Sequence, residues 1–145
     1  MSDQADETTL HATCVAWADA AVLILGKSGS GKSALGLALM GWGCLLVADD
    51  QVHLRRRAGD VIAFCPKPIT GLIEARGVGL LHADMAPPTT VSLVVDLDND
   101  ETSRLPIRHS YPCLGCELPL IKRIPDAHFA PAILQYLKAG RSHDR

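Results

Sequence analysis

Residues 26–33 read Gly26-Lys27-Ser28-Gly29-Ser30-Gly31-Lys32-Ser33, and this stretch decides the fold. It fits the pattern G-x-x-x-x-G-K-S/T in full. The residues before it, AVLIL at 21–25, form an apolar run of strand length. Those after it, KSALGLALM at 32–40, are mostly helix formers, with Gly41 where a C-terminal cap belongs. A strand–loop–helix unit is therefore predicted, and with it the α/β class. Gly26, Gly29 and Gly31 permit dihedrals closed to other residues and let backbone N–H groups approach phosphate oxygens. The helix N-terminus adds partial positive charge. Lys32 is suited to the β- and γ-phosphates and the Ser33 hydroxyl to Mg²⁺. All eight residues, 26–33, are thus predicted to bind a nucleotide.

Outward from this unit, HATCVAW at 11–17 favours a strand, and Asp19 and Ala20 a turn. CLLVA at 44–48 reads as a buried strand ending in Asp49 and Asp50. Residues 52–57 and 61–64 flank Ala58-Gly59-Asp60, a hairpin signal. An antiparallel hairpin beside the phosphate-loop unit implies a mixed sheet. Residues 66–68 break regular structure, 73–81 read as a loop or short element, TVSLVVDL at 90–97 is a strand, and 98–103 a polar turn. Four prolines leave residues 105–125 without a clean assignment. The last helix is predicted over 129–138, with Pro131 in its first turn and Gly140 beyond its end. Residues 1–8 are expected to be a disordered lead.

The chain of 145 residues is bounded at one domain, 1–145. With 48% apolar and 21% charged residues it is not a wholly disordered chain. A formal net charge of -2 argues against a broad nucleic-acid or anionic-membrane face. No apolar run approaches the roughly 18 residues that a spanning helix requires. The acidic, polar start MSDQADETT lacks the form of a secretory signal. Five cysteines in such a chain are expected to be reduced thiols in the cytoplasm.

A phosphate loop needs an acidic partner for the metal or the chemistry. Asp49 and Asp50 are the leading pair, because adjacent carboxylates at the end of a buried strand repel unless a cation or a proton-accepting role compensates them. Asp96, within SLVVDL, reads equally as a turn or cap residue. Cys113-Leu114-Gly115-Cys116 is a single C-x-x-C, read as plain thiols in preference to a metal or redox site. Arg55-Arg56-Arg57 reads as a solvated edge, with an acidic partner as the lesser reading. Trp17 and Trp42 are assigned to packing.

Taken in order, these blocks resemble the catalytic domain of HPr kinase/phosphorylase. The match runs through His11 in HATCVAW, GKSGSGKS at 26–33, LLVADDQV at 45–52, IEARGVGLL at 73–81 and Arg104. The fourth block makes it specific, since ordinary nucleotide kinases lack it. The resemblance implies a fold of the HPr kinase and phosphoenolpyruvate carboxykinase type. It implies ATP and Mg²⁺ as ligands, an HPr-like phosphocarrier as protein substrate, and a homo-oligomer. By the same resemblance Lys32 binds phosphate, Asp50 accepts the serine proton, Ser33 and Glu74 contact Mg²⁺, and His11 and Arg104 belong to the active site. Residues 76–81 match the block required for catalysis. Taken alone, His11 reads as an edge-strand histidine, Glu74 and Arg76 as a surface pair, and Arg104 as a solvated side chain.

The sequence also departs from the longer family members. It lacks their additional N-terminal domain and their glycine-arginine-asparagine loop near the C-terminus, and so resembles the short, single-domain branch. Phosphorylase activity is accordingly expected to be weak or absent. Two alternatives stay open: a small-molecule kinase, and a nucleotide-binding sensor without catalysis.

Overall fold

Every residue of the run at 20–25 is apolar because both of its faces are covered. In the computed structural model, which describes residues 6–66 and 71–142, this run is a central strand. In chain order the elements are β1 (Glu7–Leu10), β2 (Thr13–Trp17), β3 (Ala20–Leu25), α1 (Lys32–Gly41), β4 (Leu45–Ala48), β5 (Val52–Arg57) and β6 (Asp60–Phe64). There follow β7 (Leu72–Ala75), β8 (Gly79–His82), β9 (Thr89–Asp100), β10 (His109–Cys113), β11 (Cys116–Arg123) and α2 (Phe129–Ala139). Nine strands form one mixed sheet in the order β1-β5-β6-β9-β3-β2-β4, with β11 and then β10 added at β9. Strands β3, β9 and β11 run parallel. One edge of β9 is shared: Thr89 and Thr90 pair with β6, and residues from Val94 onward pair with β11.

Alternation along the central strands divides the core in two. Leu23, Cys14 and Val94 point to one face, where Val52, Leu54, Val61, Ala63 and Leu118 of the other strands cover them. Val22, Ile24, Val15, Leu93 and Val95 point to the other, where Leu39 of α1 and Phe129, Ile133, Leu134 and Leu137 of α2 cover them. Both helices therefore lie on one face. The outer edge of β4 is closed by an isolated parallel bridge between Leu46 and Met85. No helix among the described residues is long and apolar enough to cross a membrane.

Several expectations need correction. Glu7 and Thr8, assigned to a disordered lead, pair with Arg55 and Leu54 in β1; residues 1–5, like Lys67 and Pro68 of the proline break, lie outside the described residues. Ala20 is not in a turn but opens β3. The segment at 73–81 is a hairpin, β7–β8. The polar turn begins later than 98, since β9 continues to Asp100. Residues 105–125 contain a second hairpin, β10–β11. Its prolines hid it: Pro112 sits on β10, an outermost strand, and Pro119 directly precedes Leu120, where pairing with β9 begins. Gly41 is the last helical residue of α1 rather than its cap. Trp42 is 60% exposed rather than packed. Trp17 does pack against the helical face, with the Lys138 ammonium 4.5 Å from its ring centre.

Helix α1 approaches β2 closely because Gly36 has no side chain. A Cβ there would lie 2.9 Å from Thr13 Cγ2 and 3.6 Å from Ile73 Cδ1. Alanine favours an exposed helix interior by about 1 kcal/mol over glycine. Here the crowding reverses the sign, and Gly36→Ala is expected to destabilise the fold by about 1–3 kcal/mol, as overpacking does. A rise in the urea midpoint of this variant would contradict the packing.

Candidate active site

The loop at 26–31 leaves the carboxyl end of β3 and turns directly into α1. Gly29 and Gly31 adopt φ of 85° and 101°, and nothing lies within 4 Å of where a Cβ would stand on either. A Cβ on Gly26, by contrast, would collide with the Ser30 hydroxyl. The loop is anchored from β9, where both Asp98 carboxylate oxygens accept from the Lys27 amide at 3.0 and 3.1 Å. The Lys32 ammonium folds back over the loop and donates to the carbonyls of Gly26 (2.7 Å) and Lys27 (3.1 Å). Ser30 Oγ is buried and has no hydrogen-bond partner. An open glycine cradle, an orphaned hydroxyl and a lysine satisfied only by loop carbonyls together suit a phosphate chain.

Asp49 organises what lies behind the loop. It is buried, and its Oδ1 accepts from Thr13 Oγ1 at 2.7 Å and from Ser33 Oγ at 2.8 Å. Its Oδ2 accepts from the Glu74 amide at 3.2 Å. One carboxylate thus joins β2, the first turn of α1 and the β7–β8 hairpin. Ile73 fixes the same hairpin from the other side by packing into the helical core. Asp50 behaves oppositely. It sits at φ 72°, a left-handed conformation that Asp tolerates better than most residues, and its side chain is 67% exposed. Its Oδ1 lies 3.1 Å from His11 Nδ1, and its carbonyl accepts from the Ala12 amide. Neighbouring carboxylates are therefore divided, one tied inside the fold and one held outward.

The structure thus joins Ser33 of the loop, Asp49 and Glu74, and pairs Asp50, the next residue, with His11. For a divalent cation the chain offers the Ser33 hydroxyl, the Asp49 carboxylate behind it and the exposed Glu74 side chain. Among the described residues no group of three or more His, Cys, Asp or Glu is arranged as a metal cage. Arg104 is exposed and lines a groove with Lys122 and His128, which shares Ile124 and Phe129 with a cleft beside Ser30 and Gly31. Asp96 is used locally, accepting from the Asp98 amide and the Asn99 side chain.

Sequence reasoning missed Thr13 and Asp98, since neither a threonine in a strand nor an aspartate at a strand end carries a distinguishing pattern. Cys113 and Cys116 flank a two-residue turn, with Leu114 at φ 52° and Gly115 at φ 80°. Both are buried free thiols, Cys116 donates to the Gly59 carbonyl, and burial pushes the Cys113 thiol up. Arg56, assigned to a solvated edge, instead donates to the Leu114 carbonyl at 3.2 Å.

Replacing Asp49 tests its central position. In Asp49→Ala the Thr13 and Ser33 hydroxyls and the Glu74 amide all lose their acceptor at once. A loss of about 1–3 kcal/mol is expected, the cost of a buried group left unsatisfied. An unchanged urea midpoint would show that the three contacts do not hold the fold.

Known proteins resemble this chain in both sequence and fold. A family model described as the HPr Serine kinase C-terminal domain matches residues 2–114. An HPr kinase/phosphorylase of Cupriavidus necator is 37% identical over 130 residues, covering 81% of this chain and 40% of that protein. One of Bordetella pertussis is 39% identical over 116 residues, covering 72% and 38%. The chain therefore spans about two fifths of the length of these relatives. The structure of the HPr(Ser) kinase/phosphatase from Coxiella burnetii superposes with a TM-score of 0.73 at 25% identity, over 90% of this chain and 88% of that one. With this match across most of its length, the chain belongs to the family of the HPr serine kinase C-terminal domain.

Proposed function

We propose that the chain is an ATP- and Mg²⁺-dependent serine kinase acting on an HPr-like phosphocarrier. The observation that carries this reading is the outward Asp50 carboxylate, one residue beyond the Asp49 that holds the loop's Ser33. A pure nucleotide sensor needs the loop but no exposed carboxylate poised beside it. In the proposed reaction the serine oxygen of the carrier forms a bond to the γ-phosphorus, and the bond from that phosphorus to the β–γ bridging oxygen breaks. ADP leaves, and Asp50 accepts the hydroxyl proton.

His11, 3.1 Å from Asp50, orients the base. Lys32 exchanges its loop carbonyls for phosphate oxygens. Mg²⁺, when bound by Ser33 and Glu74, would neutralise charge on the phosphates. The share of Arg104 in the reaction rests on the resemblance alone. A homo-oligomer rests on the same ground. A small-molecule kinase would need the same loop and base, and the family supports the protein substrate over it.

Asp50→Asn is expected to keep ATP affinity and lose serine transfer by about 10²–10⁴-fold, the usual worth of a general base. Lys32→Ala is expected to lose ATP binding itself. Calorimetry with labelled-ATP transfer to HPr separates the two, and equal transfer by wild type and Asp50→Asn would reject the assignment.

Phosphorolysis, in which inorganic phosphate takes the phosphoryl group from phosphoserine to give pyrophosphate and free serine, requires that phosphate be held beside the loop. Arg123 lines the cleft next to Ser30 and Gly31 but already donates to Asp100 at 2.9 Å. Pyrophosphate release from serine-phosphorylated HPr and inorganic phosphate is expected to be far slower than forward transfer. Comparable rates would overturn this part of the reading.

A further inference from the structure

The turn Cys113-Leu114-Gly115-Cys116 takes no part in the reading above. All five cysteines are free thiols. Cys113 and Cys116 are direct cross-strand partners at the closed end of the β10–β11 hairpin. Cys14, by contrast, stands opposite Leu23 and Ala48, and Cys44 and Cys65 lie outside the strands. The pair packs into the core on the sheet face away from both helices. Among the described residues no third or fourth ligand joins it to make a metal cage, and a structural zinc site takes four.

We propose that Cys113 and Cys116 form a reversible dithiol–disulfide pair that exchanges with small organic disulfides. This inference stands independently of the kinase reading. The register carries it. Directly opposed residues of an antiparallel ladder have Cα atoms about 4.5–5.5 Å apart, inside the span of about 4.4–6.8 Å that disulfides bridge. The turn keeps that register without further ordering. Leu114 at φ 52° and Gly115 at φ 80° are both left-handed, as a two-residue type I′ loop requires. Arg56 ties the loop to β5 by donating to the Leu114 carbonyl at 3.2 Å.

Closing the bridge costs little and leaves it labile. The Cys116 thiol gives up its bond to the Gly59 carbonyl, which is 3.4 Å long and has a weak sulfur donor. Opposed Cβ atoms stand about 4.5–5.5 Å apart, whereas a disulfide wants about 3.5–4.5 Å. The two side chains must therefore draw together, and a bridge held under that strain is easily reduced. Burial, and then the neighbouring Cys116, pushes the Cys113 thiol up. Its thiolate is scarce at neutral pH, so the exchange is slow.

The chemistry balances in two exchanges. The thiolate of one cysteine attacks a sulfur of the small disulfide, whose S–S bond breaks and releases one thiol. The second cysteine then attacks the protein sulfur of the mixed disulfide and releases the other thiol. The protein loses two electrons and two protons, and the small disulfide gains both. Glutathione disulfide serves as the probe. The full chain is brought to equilibrium with an excess of it over glutathione, quenched in acid, unfolded and alkylated. Trypsin cuts after Arg108 and Lys122, so residues 109–122 leave as one peptide with both cysteines. That peptide is expected unalkylated and short of two hydrogens, with the other three of the five thiols alkylated. Excess glutathione is expected to restore both of its thiols.

Cys113→Ser is expected to lose the bridge, and Cys65→Ser to form it as the wild type does. A wild-type peptide that stays fully alkylated would overturn the pairing, as would a mixed disulfide that persists without closing. A bridge that appears in urea but not in the folded chain would show that the fold forbids it. One that excess glutathione does not reopen would overturn its reversibility. The wild-type peptide decides the matter even if the variants fail to fold.

Discussion

Everything at the loop end of this molecule depends on one buried carboxylate. Asp49 takes a hydroxyl from β2, a hydroxyl from the first turn of α1 and an amide from β7. These three elements lie far apart in sequence, and only Asp49 brings polar groups of all three to one point. A buried carboxylate without such donors would be strongly unfavourable, so the donors and the acid require one another. The arrangement fixes the Ser33 hydroxyl, and it sets the β7–β8 hairpin against the site instead of leaving it as a free arm. Gly36 belongs to the same construction, because only a glycine lets α1 come near enough to Thr13 and Ile73.

The division of labour between Asp49 and Asp50 follows from backbone geometry. Successive residues of an extended strand face opposite ways. The strand ends at Ala48, and the left-handed φ of Asp50 then turns the chain outward. A single dipeptide thus supplies a buried acid that ties the fold together and an exposed one that faces solvent. His11 meets Asp50 because the chain leaving β1 passes beside it, which also explains why residues 7–10 pair with β5 instead of trailing free.

The sequence made the phosphate loop, its flanking strand and helix, the 52–64 hairpin and the last helix legible, since each rests on local pattern. The acidic pair was legible too, but not its split, since nothing in Asp49-Asp50 says which side chain turns inward. The β7–β8 and β10–β11 hairpins were hidden for different reasons. In the first, glycines at 77 and 79 serve a tight turn and read as loop. In the second, prolines at 112 and 119 read as breakers, although each occupies a position where a missing N–H costs little. Arg104 rests on resemblance alone: it is an exposed side chain between β9 and β10, and no local pattern ties it to the loop.

Helix α1 begins without any of the usual side-chain help. Its N-cap is Gly31, with no side-chain cap hydrogen bond and no acid in the first turn. Its opening amides are therefore left for something outside the chain to satisfy. A bound phosphate would be the missing cap. Whatever affinity such a ligand shows then includes the repair of a helix end, and the folded chain is more stable with the ligand than without it by mass action. A serine or aspartate at this position would be strained at φ 101°, so the same glycine that the turn requires also leaves the helix end open.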